Sequence, residues 1–216
     1  MDVIHNKKEN FYSLFFWFND IIIIGDNMEE IEVVFELHDK VEEAKEKLKG
    51  LEFVEKQNII DIYFYDPNNE SSKPNENKEL GESLRLRHIN DKYYVSYKID
   101  KFNDKNEYLF SDNAFREIED PEEALHQFND AGLKELVTVK KTRYVYKDSK
   151  YFVYLEDVNK LGRFVEIEKM CKENAHVEKV KQDMIDYSKS LKLNLGNILD
   201  CGKPELMLRK QKVEVE

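Results

Sequence analysis

The sequence predicts an α+β domain built on antiparallel strands. Segments in which charged and apolar residues alternate recur along the chain, as they do in half-buried strands. Short polar turns at 90–91 and 148–149 join neighbouring segments of this kind, which is how antiparallel strands connect. Other segments carry apolar residues at spacings of three and four, which indicates helices. Roughly eight or more strands with three helices fit a single α+β domain.

The strands are assigned by alternation, because successive side chains of a strand point to opposite faces of a sheet. In 30–37 the polar face is acidic and the opposite face is apolar. In 83–101 the turn at 90–91 separates two strands. The full set of predicted strands lies at 30–37, 53–65, 83–89, 92–101, 108–118, 133–146, 151–157 and 164–168.

Three helices are predicted from their periodicity and their ends. The first spans 39–49 with Asp39 as its N-cap, and the second follows a cap at Asp120, begins at Pro121 and ends before Gly132. The third spans 174–191. Segments 66–82 and 101–106 are predicted loops, and the tail from residue 193 is expected to pack on the body before its charged end frays.

The first 27 residues differ from the rest of the chain. Their apolar stretch, within 11–24, is interrupted by polar residues, so it is too short for a membrane span. The segment also lacks the small-residue cleavage site of a signal peptide. The codons for 25–27 can read GGAGATAAT, a purine-rich ribosome-binding sequence just before the codon for Met28. We therefore expect translation to start at Met28, residues 1–27 to be an N-terminal extension outside the fold, and 28–216 to form one domain.

The composition is globular and rich in charge. The chain has 216 residues, of which 41% are hydrophobic and 37% are charged, with a net charge of −11. This length suffices for one sizeable core. The negative charge argues against general binding to nucleic acid or to an anionic membrane surface, while a local basic site remains compatible with it. Two cysteines, Cys171 and Cys201, provide no disulfide framework, so a cytoplasmic location is expected.

Same-sign charged pairs recur on four predicted strands. They are Glu30 and Glu32, Arg85 and Arg87, Lys141 and Arg143, and Glu166 and Glu168. A solvent-exposed face explains a single pair, but the recurrence favours charged faces that line a shared wet cavity. Carboxylate oxygens suit Mg²⁺ or Mn²⁺, and arginine and lysine bind phosphate oxygens. With Lys98, the pattern therefore predicts a metal-assisted polyphosphate site.

An ordered set of segments also resembles a known family. In chain order these are E-I-E at 30–32, D-I-Y-F at 61–64, L-R-L-R at 84–87, V-S-Y-K at 95–98, V-K-K-T-R at 139–143, L-E-D-V at 155–158 and L-G-R-F-V-E-I-E at 161–168. The set resembles the CYTH family, or triphosphate tunnel metalloenzymes, over residues 28–208. It is most similar to the class IV adenylate cyclase branch, to which thiamine and inorganic triphosphatases are related. The resemblance implies a closed eight-stranded antiparallel β tunnel barrel with flanking helices, Mg²⁺ or Mn²⁺, and a triphosphate substrate.

Position by position, the resemblance implies roles for ten residues of this chain. The implied metal ligands are Glu30, Glu32, Glu156, Glu166 and Glu168, where Glu156 replaces the usual aspartate. The implied triphosphate clamp is Arg85, Arg87, Lys98, Lys141 and Arg143. The implied catalytic groups are Glu30, Glu32, Lys98, Lys141 and Arg143.

One position departs from the family signature in a way that bears on activity. Val34 stands where the ExExK signature has its lysine, and a valine can neither donate a hydrogen bond nor carry charge. If the missing cation limits the rate, Val34→Lys is expected to raise turnover.

Three functions remain open at the level of sequence. The first is a class IV adenylate cyclase-like enzyme that converts ATP to cyclic AMP and pyrophosphate. The second is an inorganic or thiamine triphosphatase, and the third is a non-catalytic triphosphate or polyphosphate-binding protein, which Val34 favours. The expected partner is ATP, thiamine triphosphate or tripolyphosphate, with no nucleic acid and no membrane, and the chain is expected to be a monomer or homodimer.

Overall fold

A computed structural model describes residues 22–23, 28–102, 108–172 and 175–212 of the chain, and the side chains of 30–99, 114–172 and 175–212. In this part of the chain a single antiparallel β-sheet is flanked by helices. The predicted α+β class is therefore confirmed.

The sheet contains ten strands, all paired antiparallel. They are β1 Ile22–Ile23, β2 Met28–Leu37, β3 Glu52–Tyr65, β4 Glu82–Ile89, β5 Lys92–Phe102, β6 Tyr108–Ile118, β7 Lys134–Lys147, β8 Phe152–Val158, β9 Gly162–Lys172 and β10 Leu195–Ile198. Their order across the sheet is β1-β6-β5-β4-β3-β7-β8-β9-β2-β10. In addition, β2 pairs with β6, where Glu30 lies opposite Ser111.

The expected strand count of eight is wrong, because the sheet also includes two short strands. The first is β1, which lies in the segment expected to be outside the fold. It pairs with Phe115 and Ala114 of β6. The second is β10, which lies in the tail and pairs with β2. Both are too short to show an alternating pattern of their own.

Four α-helices accompany the sheet in the described chain: α1 Val41–Lys47, α2 Pro121–Asp130, α3 Val177–Ser190 and α4 Lys203–Gln211. A single 3₁₀ turn, Glu70–Ser72, lies in the predicted loop at 66–82. The first three helices match the predicted ones with shorter ends, whereas α4 was not predicted. None of the described helices has the length and apolar character that crossing a membrane requires.

The helix ends confirm one predicted cap and overturn another. Asp120 accepts hydrogen bonds from the backbone N–H groups of Glu122 and Glu123 at 2.9 and 3.0 Å, as an N-cap does. Asp39 is not a cap, because α1 begins two residues later. Its buried carboxylate instead accepts from Lys47 Nζ and from the backbone N–H of Asn194, each at 2.8 Å. Asp39 thus ties α1 to the segment that precedes β10.

Two apolar cores cover the face of the sheet that carries no charged pairs. The first joins β2, β8 and β9 to α1 and α3, and includes Ile31, Val33, Val165, Ile167 and Met184. The second joins β3, β4 and β5 to α2, and includes Phe64, Leu84, Leu86, Val95 and Phe128. Because side chains alternate along each strand, burial of these residues turns the intervening charged residues to the opposite face.

Candidate functional site

The opposite face of the sheet carries all ten residues to which the sequence assigned a role. Most of them are joined by ion pairs or hydrogen bonds that cross from one strand to another. They were predicted from segments far apart in sequence, so the sheet register is what brings them together.

The first part of the network lies on β3, β4 and β5 around Asp61. Asp61 is the cross-strand partner of Arg87, whose Nε and Nη2 donate to its two carboxylate oxygens at 2.6 and 2.8 Å. Arg85 Nη1 lies 3.8 Å from Asp61, and Arg85 Nε donates to Ser96 Oγ at 3.0 Å. Burial raises the pKa of Asp61, but the charges of Arg87 and Arg85 outweigh burial and hold this pKa well below its usual range. The ionised Asp61 carboxylate therefore fixes the guanidinium group of Arg87, whereas Ser96 holds that of Arg85 nearby.

The second part lies on β7, β8 and β9 around Glu156, whose side chain is 0% exposed. Lys141 Nζ and Arg143 Nε approach Glu156 Oε1 at 2.6 and 2.7 Å, and Arg143 Nη2 donates to Glu166 Oε1 at 3.2 Å. The Arg143 guanidinium also lies 4.2 Å from the centre of the Tyr154 ring. Charges with so little exposure to water are tolerated only when they are paired, as they are here.

The ionisation states of this part follow from the same contacts. Burial raises the pKa of Glu166, but Lys203 and Arg143 outweigh burial and lower it to about 2. Burial also raises the pKa of Glu156, and Lys141, Lys203 and Arg143 together hold it well below its usual range. The pKa of Lys141 falls to about 8, because burial and the nearby charge of Arg143 disfavour its charged form.

Lys203 is a member of the network that sequence reasoning missed. It is the first residue of α4, it is 7% exposed, and its Nζ lies 3.2 Å from Glu156 Oε2 and forms an ion pair with Glu166 Oε2. The Gly-Lys-Pro sequence at 202–204 is typical of a helix start and could have revealed α4. No local pattern indicates that the lysine of this helix start lies against β8 and β9.

The third part is acidic and lies on β2 and β9. Glu32 is the cross-strand partner of Glu168, and Lys98 Nζ lies 3.6 Å from Glu32 Oε1. The Tyr154 hydroxyl donates to Glu168 Oε1 at 3.2 Å. Burial, together with repulsion from Glu30 and other carboxylates, raises the pKa of Glu168 to about 8. Burial and the neighbouring Glu32 also raise the pKa of Glu30.

The metal prediction can be compared with these contacts. Within the described chain, no group of three or more His, Cys, Asp or Glu residues is arranged as a metal site. The donor chemistry of Glu30, Glu32 and Glu168 still fits Mg²⁺ or Mn²⁺, because a divalent cation would relieve the mutual repulsion of these carboxylates. The other two predicted ligands, Glu156 and Glu166, are ion-paired with lysine and arginine. The metal site therefore stays a prediction, and Glu30, Glu32 and Glu168 are its best-suited residues.

Comparisons with known proteins relate the whole domain to one family. The model of the CYTH domain matches residues 28–198. A protein of Methanocaldococcus jannaschii that carries the name "Putative adenylate cyclase MJ0240" is 31% identical over 180 residues, which cover 82% of this chain and 96% of that protein.

Solved structures show the same fold. The PH1819 protein of Pyrococcus horikoshii has a TM-score of 0.69 and 27% identity, over 84% of this chain and 99% of that one. A Hippeastrum protein, described as a "putative adenylyl cyclase" with a dominant triphosphatase activity, has a TM-score of 0.56 and 16% identity, over 86% and 97% of the two chains. At that identity, the Hippeastrum protein shows the fold alone.

Proposed function

The chain belongs to the CYTH domain family, and from that membership we propose that it is a metal-dependent enzyme acting on a triphosphate compound. The observation that carries the proposal is the convergence of four cations on one sheet face, where Ser96 and buried carboxylates hold them. These cations are Arg85, Arg87, Lys141 and Arg143. Cations that are held in place before a ligand arrives bind phosphate oxygens at little reorganisation cost.

We further propose that the strands β2 to β9 close into a tunnel, with the charged face inside. Support comes from the strand order, which runs from β6 through β5, β4, β3, β7, β8 and β9 to β2, and from the pairing of β2 back to β6. In this arrangement β1 pairs with β6 and β10 pairs with β2, and neither short strand is part of the closed wall. A closed wall would exclude bulk water from the network and strengthen its electrostatic interactions with a triphosphate.

The residues of the network divide the binding task. Arg85, Arg87 and Arg143 would donate to non-bridging phosphate oxygens, because their guanidinium groups offer several N–H donors in fixed directions. Lys98 and Lys141 would add positive charge near the oxygens that become more negative during the reaction. Glu30, Glu32 and Glu168 would hold Mg²⁺ or Mn²⁺, which supplies further charge neutralisation when bound.

The reaction that we propose first is that of a class IV adenylate cyclase. The ribose 3′-oxygen of ATP attacks the α-phosphorus, the bond to the bridging oxygen breaks, and pyrophosphate leaves as cyclic AMP forms. Support comes from the name of the M. jannaschii relative and from the ordered sequence segments. The cation network would stabilise the negative charge that develops on the leaving pyrophosphate.

Hydrolysis of a triphosphate is the second candidate. The contacts of the described network involve cations and carboxylates suited to the phosphate chain, which a cyclase and a triphosphatase share. The dominant triphosphatase activity of the Hippeastrum structural neighbour shows that this fold can carry out hydrolysis. In this reaction a water molecule attacks the terminal phosphorus and the bond from that phosphorus to the bridging oxygen breaks. Orthophosphate, the remaining diphosphate compound and a proton are released.

One assay separates these reactions. The full chain is incubated with Mg²⁺ or Mn²⁺ and with ATP, thiamine triphosphate or tripolyphosphate, and the products are resolved by chromatography. Cyclic AMP with pyrophosphate supports the cyclase, and orthophosphate supports the triphosphatase. Binding without product supports the third candidate, a non-catalytic binding protein. The absence of both binding and product contradicts the proposal.

We also propose a cytoplasmic location. Both cysteines, Cys171 and Cys201, are free thiols, as is usual in a reducing compartment. Whether the chain is a monomer or a homodimer stays an open prediction.

A further inference from the structure

We infer that Lys203 is a further cation of the triphosphate site, and that it provides from α4 the positive charge that a lysine at position 34 would provide from β2. This inference rests on the proposed function where it concerns the ligand. Its structural part is that the ammonium groups of Lys203 and of a lysine at position 34 would occupy the same position beside Glu166. This part rests on the geometry alone.

Val34 lies on β2 directly opposite Glu166 of β9, and strand alternation places it on the same face as Glu30 and Glu32. Facing residues of antiparallel strands have Cβ atoms about 4.5–5.5 Å apart, a distance that a lysine side chain spans easily. A lysine at position 34 would therefore bring its ammonium group to the carboxylate of Glu166.

The ammonium group of Lys203 already occupies the position beside Glu166. This group forms an ion pair with Glu166 and lies 3.2 Å from Glu156 Oε2. The charge of Glu32, which also lies on β2, further favours the ionised form of Lys203. The carboxylate that a lysine at position 34 would reach is thus already paired with Lys203 of α4.

Backbone contacts hold the segment before α4 beside Val34. The N–H of Leu199, shortly before α4, donates to the carbonyl oxygen of Val34 at 2.8 Å, and Ile198 pairs with Phe35. These backbone contacts therefore hold the start of α4, which carries Lys203, next to Val34.

The valine itself contributes to this arrangement. Val34 belongs to an apolar cluster on the charged face of the sheet, together with Tyr63, Phe164, Met207 and Leu208. The last two residues are buried side chains of α4. A small apolar residue at position 34 gives α4 a surface to pack on, and α4 in return places an ammonium group at Glu166.

This geometry changes the expectation for Val34→Lys. In the presence of Lys203, a lysine at position 34 would bring a second ammonium group to the same buried carboxylate and remove an apolar contact of α4. We therefore expect Val34→Lys alone to lower stability and turnover. The same substitution should become favourable once Lys203 has been removed.

A ligand-free measurement tests the shared place. Melting temperatures are compared for wild type, Lys203→Met, Val34→Lys and the double variant, with Lys210→Met as control because Lys210 is an exposed lysine of the same helix. Each single change at the site should lower the melting temperature, and Lys210→Met should not. The loss in melting temperature of the double variant should be much smaller than the sum of the losses of the two single variants. Additive losses would overturn the shared place.

A binding measurement tests the role toward the ligand. Tripolyphosphate with Mg²⁺ is titrated into the same folded variants and followed by calorimetry. Lys203→Met should weaken binding about tenfold, as expected when one charged contact is lost, and the double variant should recover most of that loss. Lys210→Met should bind as wild type does.

The two possible failures are distinguishable. If wild type binds tripolyphosphate and Lys203→Met binds it equally well, the role of Lys203 is overturned while the proposed function stands. If wild type neither binds tripolyphosphate nor turns over any triphosphate, the proposed function and the ligand role of Lys203 both fail. The melting temperatures then still decide whether the two positions share one place.

Discussion

Asp61 shows what a single residue contributes to this site. The sequence placed it in the D-I-Y-F segment at 61–64 without assigning it a role. In the structure its carboxylate binds Arg87 through two hydrogen bonds and lies near Arg85. This fork-like geometry orients the guanidinium group of Arg87, so Asp61 acts as a positioning residue for that part of the clamp.

Loss of the Asp61 charge should be costly. In Asp61→Asn the bidentate ion pair is lost and the largely desolvated Arg87 keeps its charge without full compensation, so we expect destabilisation of about 3–5 kcal/mol. The control is Asp130→Asn, whose exposed carboxylate pairs with His126 at 3.0 Å and should change stability by less than about 1 kcal/mol. Urea unfolding measures both. Equal, small effects for the two variants would show that the buried pair does not hold the sheet face together.

Glu168 provides a prediction that depends on pH. Its pKa is about 8 in the folded protein, above the ordinary value of 4.5. The folded state therefore holds this proton more tightly than the unfolded state, and stability is lost as pH rises from 4.5 through 8.

A glutamine at position 168 cannot ionise and should escape this loss. In metal-free protein with EDTA, we expect Glu168→Gln to melt several degrees above wild type at pH 9, since each kcal/mol shifts the melting temperature by roughly 2–4 °C at this size. At pH 5 the difference should be much smaller. The exposed Glu76→Gln serves as control, and a difference for Glu168→Gln that is the same at both pH values would contradict the assigned repulsion.

At the scale of elements, the strands were the most predictable part of the chain. Alternation and polar turns located β2 to β9, and Asn90 indeed adopts the positive φ of 52° that a tight turn between β4 and β5 requires. The residues Leu195–Ile198 form β10 without a comparable signal, and Lys203–Gln211 form α4 with a typical helix start as the one local signal. Their positions depend on contacts with distant strands, such as Leu199 with Val34, which local patterns do not encode.

The docking of α4 should depend on its buried apolar residues. Leu208 is fully buried in the cluster with Val34 and Phe164, so Leu208→Ala should destabilise the protein by about 2–5 kcal/mol through the cavity that it leaves. Ile198→Ala is the control, because Ile198 is 48% exposed in the same C-terminal segment. Urea unfolding should show a clear loss for Leu208→Ala and a small one for Ile198→Ala. If the two losses are equal, α4 does not pack as the structure shows.

At the scale of the whole molecule, the site was predictable because strand geometry is regular. A period of two fixes which face each charged residue occupies, so charged pairs on four strands, from Glu30 to Glu168, could be assigned to one face from sequence. What the sequence could not provide was the pairing within that face. Glu156 and Glu166 were expected to bind metal, but their partners here are Lys141, Arg143 and Lys203.

The charge distribution explains how an acidic chain can present a site for an anion. The net charge is −11, yet the buried network holds arginine and lysine side chains in a shared region. At the proposed site, local and largely desolvated cations would govern binding, because charges on the solvated surface are screened over about 10 Å in ordinary salt. Net charge alone therefore excludes a general polyanion surface but not this site.

The central claim is that this charged face binds a triphosphate, and Arg85 allows the most direct test. Its Nε donates to Ser96 and its guanidinium lies 3.8 Å from Asp61, which Arg87 already neutralises, so Arg85→Met should fold. Arg209, exposed on α4, provides the matched control Arg209→Met. Calorimetric titration with tripolyphosphate and Mg²⁺ should show binding to wild type and to Arg209→Met, and binding at least about tenfold weaker to Arg85→Met. Equal affinities for all three proteins, or no binding to any of them, would contradict the claim.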